Sequence, residues 1–420
     1  MWARFTGQQV GGGLRRQGRR VTTDLARRAI WLLLRLLPPR GHAVVHGWPD
    51  SEANAVEVVR ALRRRYRGTI YWLLDDLAYR GPAFAAQELS DTSRICRVPK
   101  GSVRAVWLCL TAELTFFTHG LYTAVRPPCN RLVVNLWHGD GPKSTRDTHL
   151  VRSSVVVSGA QLWGDYKATL FKLPTTSLAI VGNPRIDQFA EPLDAEALGA
   201  LGLDPDRGRV LWMPTYRQAS GPKSRSWSDG RNLSDRDGVG ELLRETGRAA
   251  ERSGLQLLIK PHPLDVDRYA DLDVQVVRDE DLNAARVSLY QLLGGCDGLI
   301  SDVSSVWVDF LVLDRPIAFY IPDLEELKTG RGLNVEDLEA LLPGPRLVDA
   351  AEASAFLTAV AAGAPGRSPS AWPGAARIGA VSQIGAAERL LDWLSVFQAK
   401  RLQQAMFAAS GGAQPNLTSG

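Results

Sequence analysis

The chain has six histidines: His42, His46, His119, His138, His149 and His262. Two of them follow apolar, strand-like runs directly, in turns marked by glycine or proline. One is in Trp137-His-Gly-Asp-Gly-Pro-Lys143, the other in Ile259-Lys-Pro-His-Pro263. Histidine is the side chain best placed to take a proton near neutral pH. In open parallel sheets, ligands bind beyond the carboxyl ends of the strands. His138 and His262 thus read as proton-handling groups, one from each half of the chain, with Lys143 and Lys260 close by in sequence. Either one alone reads more readily as a structural loop histidine; two flanking the same cleft favour the functional reading. His119, in Thr118-His-Gly120, also follows a strand-like run and can line the same cleft. Nothing singles out His42, His46 or His149.

Three further turns suit a phosphorylated ligand. In Leu299-Ile-Ser-Asp-Val-Ser-Ser-Val-Trp-Val-Asp-Phe-Leu311 a short apolar strand runs into helical spacing. Asp302, Ser304 or Ser305 can cap that helix, and exposed amides at a helix start beside hydroxyls also suit an anion. Val181-Gly-Asn-Pro-Arg-Ile-Asp187 puts Asn183 and Arg185 in a turn before a helix. Trp212-Met-Pro-Thr-Tyr-Arg217 follows another strand-like run. Arg185 and Arg217 can grip phosphate oxygens with a planar fork, or serve as surface arginines. No Walker-type loop, no G-x-S-x-G elbow and no H-E-x-x-H occurs.

The elements that must position these turns alternate between short apolar runs and amphipathic stretches. Strands are predicted at Ala43–His46, Thr69–Leu74, Ala105–Leu110 and Leu132–Trp137, with a helix over Ala53–Arg65. After a Pro/Asp/Gly-rich stretch near 190–209 the order repeats. Strands are expected at Val210–Met213, Leu255–Ile259, Asp273–Val277, Gly298–Ile300 and Pro316–Ile321, with a helix over Val239–Ser253 and a mobile polar loop over 216–236. Strands separated by helix-length segments imply crossover connections and parallel sheets. The expected division is a basic arm with an amphipathic helix over 1–40, an α/β unit over 41–195, a second over 205–375, a C-terminal helix over 376–408 and a disordered tail over 409–420.

Charge narrows the partners. The chain of 420 residues has 50 Lys+Arg against 45 Asp+Glu, a net of +5. Residues 1–40 hold nine arginines against Asp24, a net of +8, which leaves −3 for the rest. A slightly acidic body argues against a nucleic-acid footprint on the fold. No run reaches the roughly 18–20 apolar residues of a membrane span. In the stretch 24–37, Asp24, Arg27, Arg28 and Arg35 share one helical face and leucines fill much of the remainder. Such a helix can lie in an anionic membrane interface, or pack on its own domain. The four scattered cysteines, Cys96, Cys109, Cys129 and Cys296, form no C-x-x-C pair and read as reduced cytosolic thiols.

In order and spacing, these blocks resemble the CDP-glycerol glycerophosphotransferases of teichoic-acid and capsule synthesis. The family's Trp-His-Gly-Thr block resembles Trp137-His138-Gly139-Asp140, with Lys143 shortly after. Its Gly-x-Pro-Arg-x-Asp block resembles Gly182–Asp187, and its Pro-Thr-Trp/Tyr-Arg block Pro214-Thr215-Tyr216-Arg217. Its His-Pro block resembles His262-Pro263, and its Thr-Asp-Tyr-Ser-Ser-x-x-x-Asp-Phe block Ser301–Phe310. Asp140 and Val303 depart from the usual threonine and tyrosine. The matches run from about 132 to 325; residues 41–131 match no block.

The resemblance implies a GT-B-like α/β fold, in which two facing Rossmann-type domains with parallel sheets enclose an interdomain cleft. It implies transfer of glycerol phosphate from CDP-glycerol to a hydroxyl of a lipid-linked or polymeric acceptor, with CMP leaving. It also implies cytoplasmic placement, peripheral on the inner face of the cell membrane. His138 is then the expected general base, and His262 stabilises the phosphate or protonates the leaving group. Trp137, Gly139, Lys143, Asn183, Arg185, Thr215, Arg217, Lys260, Asp302, Ser304, Ser305 and Asp309 are the expected substrate-binding residues. No cofactor and no metal-ligand cluster is evident, although Asp302 and Asp309 could assist a metal. The alternatives are CDP-ribitol as donor, a nucleotide-sugar glycosyltransferase of the same fold, and a non-catalytic nucleotide- or polymer-binding scaffold.

Overall fold

The computed structural model describes residues 28–409, apart from 121–124, 145–151, 215–238, 263–265, 267–268, 270–271, 273, 330–331, 365–371, 373 and 380–382. The segment expected as a mobile loop and the first 27 residues of the basic arm lie outside the described residues.

Two parallel sheets form the frame. In the first half, β1 (Arg40–His46), β2 (Thr69–Leu74), β3 (Ile95–Pro99), β4 (Ala112–Phe117), β5 (Leu132–Asn135), β6 (Val155–Ser158) and β7 (Leu178–Ile180) lie in the order β3-β2-β1-β4-β5-β6-β7. In the second, β8 (Gly208–Trp212), β9 (Leu255–Ile259), β10 (Gln275–Val276), β11 (Gly298–Ser301) and β12 (Ile317–Phe319) lie in the order β10-β9-β8-β11-β12. Every strand pairing within these sheets is parallel. In each half the chain winds outward over three strands, then returns to the other side of its first strand. The direction of winding therefore reverses between β1 and β4, and again between β8 and β11. Those are the places where such sheets open a crevice for a ligand.

Most of the predicted elements stand, and the helix Ala53–Arg65 has the predicted bounds. One prediction is corrected. Ala105–Leu110 is not a strand but part of the helix Val103–Thr111, and the strand lies just beyond it at Ala112–Phe117. The Ser102 hydroxyl accepts from Ala105 N at 3.0 Å and caps that helix. Ala105, Leu108 and Thr111 are buried at three-residue spacing, which is a helical face. A short apolar run has no period of its own to distinguish helix from strand. Strands β3, β6 and β7 were not anticipated; at three to five residues they are too short to show a pattern. The stretch near 190–209 also holds a short helix, Ala195–Ala200, capped by Asp194.

The halves share a core. Trp163, Ile186 and Phe189 from the first half pack with Trp307, Phe310 and Phe319 from the second, with Trp163 edge-on to Trp307 at 6.4 Å. The last helix, Ala386–Ala409, returns to the first half and buries Leu390 and Leu394 in its core. Asp187 anchors its start by accepting from Gly385 N, Ala386 N and Ala387 N at 2.7, 2.7 and 2.9 Å. Among the described residues, no helix is long and apolar enough to cross a membrane.

Candidate active site

The carboxyl ends of β1, β4 and β5 bring His46, His119 and His138 to one edge of the first sheet. The turn after β5 begins under constraint. Trp137 adopts φ +58, a left-handed conformation unusual for a residue with a side chain. It is held there by its amide donating to Asn135 Oδ1 at 3.0 Å and by its indole, buried edge-on against Phe171. His138 itself is exposed. It lies over Trp137 at 4.1 Å and stacks on His119 at 4.4 Å, only 16° from parallel. His119 is steadied by Thr118 Oγ1, 3.1 Å from its Nδ1.

All three rings favour the neutral form. Burial among protein groups pushes His138 down to about 3, with His119, Arg185 and Lys167 opposing its charge. Burial pushes His119 to about 4, aided by Arg185 and Lys100. It also pushes His46 to about 4, aided by Lys100. A neutral imidazole has its lone pair free to accept a proton, although one held this far below neutrality is a weaker base than an ordinary histidine.

The second half meets this turn directly. A Cβ added to Gly139, whose φ is +152, would overlap the Ser305 hydroxyl, and one added to Gly141 would lie 3.1 Å from Ser305 Cα. Glycine is thus needed at 139 because the two halves approach at that point. Beyond it, Asn334 N donates to Pro142 O at 2.7 Å and Asn334 Nδ2 to Lys143 O at 2.8 Å. The His138 turn and the Ser304–Ser305 turn, predicted separately, therefore meet. Asp302, buried, accepts from Ser304 N at 2.8 Å and shapes the turn after β11, while Ser304 and Ser305 stay partly open.

Four predicted binding residues are buried and held by other protein groups. Asp302 is one. Asn183, Arg185 and Asp309 are the others, all buried. Asp309 accepts from Arg185 Nη2 at 2.5 Å, Tyr290 OH at 2.7 Å and Asn183 Nδ2 at 2.9 Å. Arg185 Nη1 donates to His138 O at 2.8 Å, and Arg185 N to Asn54 Oδ1 at 3.1 Å. The guanidinium therefore holds the His138 backbone and bridges the two halves. Arg185 also borders a cavity of about 350 Å³ between the halves, with Glu52, Asp279 and Tyr290 on its walls.

Lys260 follows β9, buried, with Nζ 2.6 Å from Asp279 Oδ1. His262, two residues on, is exposed. Lys143 is partly open. Thr215 and Arg217 lie outside the described residues. Sequence reasoning gave His46 no role and left His119 among the possibilities, because the reason they matter is the sheet order that sets β4 between β1 and β5.

Two facing parallel α/β units whose carboxyl edges converge define a GT-B-like fold. The chain belongs to the family of CDP-glycerol:poly(glycerophosphate) glycerophosphotransferases, which it matches over residues 49–367. It is 23% identical over 289 residues to a teichoic acid poly(glycerol phosphate) polymerase of Bacillus spizizenii, covering 62% of this chain and 69% of that one. It is 33% identical over 93 residues to a teichoic acid glycerol-phosphate primase of Bacillus subtilis, covering 22% of this chain and 23% of that one. It is 45% identical over 58 residues to a teichoic acid ribitol-phosphate primase of Bacillus spizizenii, covering 14% and 15%. The chain thus spans less than a quarter of the length of either primase. The structure is similar to that of the wall teichoic acid polymerase TagF, with a TM-score of 0.65 at 16% identity over 93% of this chain and 98% of that one.

Proposed function

We propose that this protein transfers glycerol phosphate from CDP-glycerol to a hydroxyl of a lipid-linked or polymeric cell-wall acceptor, releasing CMP. The observation that carries this reading is the meeting of the His138 turn with Ser305 across the two halves, in a chain of this family. Neutral His138 takes the proton of the acceptor hydroxyl as that oxygen attacks the β-phosphorus. The bond from the β-phosphorus to the bridging oxygen breaks, and that oxygen leaves on CMP. His262, at the end of β9 in the opposite half, protonates or stabilises the departing phosphate. Charge on the phosphates is met by Lys260, Lys143 and Arg217, and by the amides and hydroxyls of Ser304 and Ser305. Thr215, Trp137 and Gly139 complete the binding surface, while Asn183, Arg185, Asp302 and Asp309 support it from behind.

A CMP-release assay with CDP-glycerol and lipid-linked or polymeric acceptors tests the reading. Release of CMP only from CDP-ribitol would move the donor assignment to ribitol, which the match to a ribitol-phosphate primase also favours. Release of UDP from a nucleotide sugar, or binding of CDP-glycerol without turnover, would overturn the reading.

The same reading places the protein on the cytoplasmic face of an anionic membrane. The helix over residues 28–36 packs Leu34 inward and leaves Trp31, Leu32, Leu33 and Leu36 exposed. Alongside it, the helix Val103–Thr111 exposes Val103 and Trp107. Arg35 lies over the Trp31 ring at 4.1 Å and Arg40 over Trp107 at 5.6 Å. Aromatic and aliphatic side chains interleaved with arginine suit the interface of anionic lipid.

A further inference from the structure

Asp140 stands where the matching block of the family has threonine, and it is almost wholly buried. Both its oxygens are occupied. Oδ2 accepts from Gly159 N at 2.6 Å and Asn183 Nδ2 at 3.1 Å, and Oδ1 from Ser158 Oγ at 3.0 Å. Oδ1 also pairs with the Lys167 ammonium. Lys167 is itself buried, on the helix Gln161–Phe171, and donates to Val157 O at 2.6 Å. From Asp140 the contacts continue through Asn183 to Asp309, from Asp309 to Arg185, and from Arg185 to the backbone oxygen of His138. Two cations and two carboxylates balance in this buried chain.

A threonine at 140 would carry no charge and would require none at 167. An aspartate there is tolerable only with a buried cation, and a buried lysine only with a carboxylate, since either charge left alone in the interior is strongly unfavourable. Asp140 is two residues from His138 and one from Gly139, the residue pressed against Ser305. We propose that Asp140 and Lys167 are a coupled pair of positioning residues that set the His138 turn against Ser305. Lys167 comes from a segment with no recognisable motif, so its part is legible only from the contact.

The test is a cycle of Asp140→Thr, Lys167→Met and the double variant, and in its kinetic arm it rests on the reading above. With CDP-glycerol, each single variant should lose at least tenfold in kcat while the donor KM changes less than about threefold, because the proposed donor contacts lie mainly in the other half. The double variant should recover most of kcat. A second arm is independent of turnover. The His138 ring resonance, assigned by its loss in His138→Ala, should move in each single variant and return in the double. Wild-type kcat in both singles, or a double variant as impaired as the two single losses multiplied together, would overturn the proposal. If the singles do not fold, a double variant that folds with wild-type kcat and ring position supports it, and one that folds without them overturns it. If the wild-type protein leaves CDP-glycerol intact, the donor reading fails and the resonance arm alone decides the pair.

Discussion

The groups around His138 keep its ring neutral, the form that the proposed general base needs. Burial, the parallel His119 ring and the Arg185 guanidinium all oppose a positive charge on it and push its pKa down to about 3, so the neutral form is favoured. His138→Ala should lower kcat by about 10²–10⁴, the usual loss for a general base, measured as CMP release at saturating CDP-glycerol. The acid limb of kcat/KM, which reports the free enzyme, should lie well below the ordinary imidazole value of about 6.5. A limb at or above that value would contradict the assignment. The same groups bear on stability. His46, His119 and His138 take up protons near 6.5 when unfolded but only near 4, 4 and 3 when folded. Between those values the unfolded chain binds more protons, so the stabilisation is complete above about pH 6.5 and is lost as pH falls toward 4. Urea unfolding at pH 7.5 and pH 5 should show lower stability at pH 5, with a smaller difference in His46→Gln. Equal stability at the two pH values would refute this.

At the scale of elements, the site depends on turns whose shapes are set from the side. Trp137 is held in a left-handed conformation by Asn135 and Phe171, and Gly139 has no room for a side chain beside Ser305. Asp187 does comparable work for the last helix, whose first three free amides it accepts. Burial raises its pKa, while those amides and Arg389 favour the charged form. Asp187→Ala should cost about 2–3 kcal/mol, the range for losing a helix cap bonded through a charged group. Thermal unfolding would read that loss, and earlier proteolysis within Ala386–Ala409 should accompany it. An unchanged melting temperature would show the cap to be dispensable.

At the scale of the molecule, the halves are joined by a continuous apolar core and by the Asp309–Arg185–Asn183 strut, so the two predicted turns are fixed relative to one another. The exposed face of residues 28–36 is the other molecular-scale feature. Deleting residues 1–40 would also remove the start of β1 and the buried Leu34, so side-chain changes are the cleaner probe. Trp31→Gln, Leu32→Gln and Leu36→Gln together should release the protein from phosphatidylserine vesicles in a sedimentation assay. CMP release with a water-soluble acceptor should persist. Undiminished vesicle binding would remove this face from consideration.

How far the sequence reaches depends on whether a feature is local. Two parallel α/β units, the turns bearing His138, His262 and Ser304–Ser305, and the helix Ala53–Arg65 could all be read from it. Periodicity, caps and turn residues act over a few positions, and the family's motifs fall within single turns. Where the local signal was short it failed: Ala105–Leu110 looked like a strand until Ser102 and the buried face of Val103–Thr111 showed a helix. What only the tertiary structure decided was which polar residues pair with one another. Asn183 and Arg185, expected as ligand contacts, both donate to Asp309 across more than 120 residues of chain. His46 and His119 gain their place from the order β1-β4-β5, and Lys167 from its pairing with Asp140. Burial and partner choice depend on distances in space, and residue spacing along a chain does not carry them.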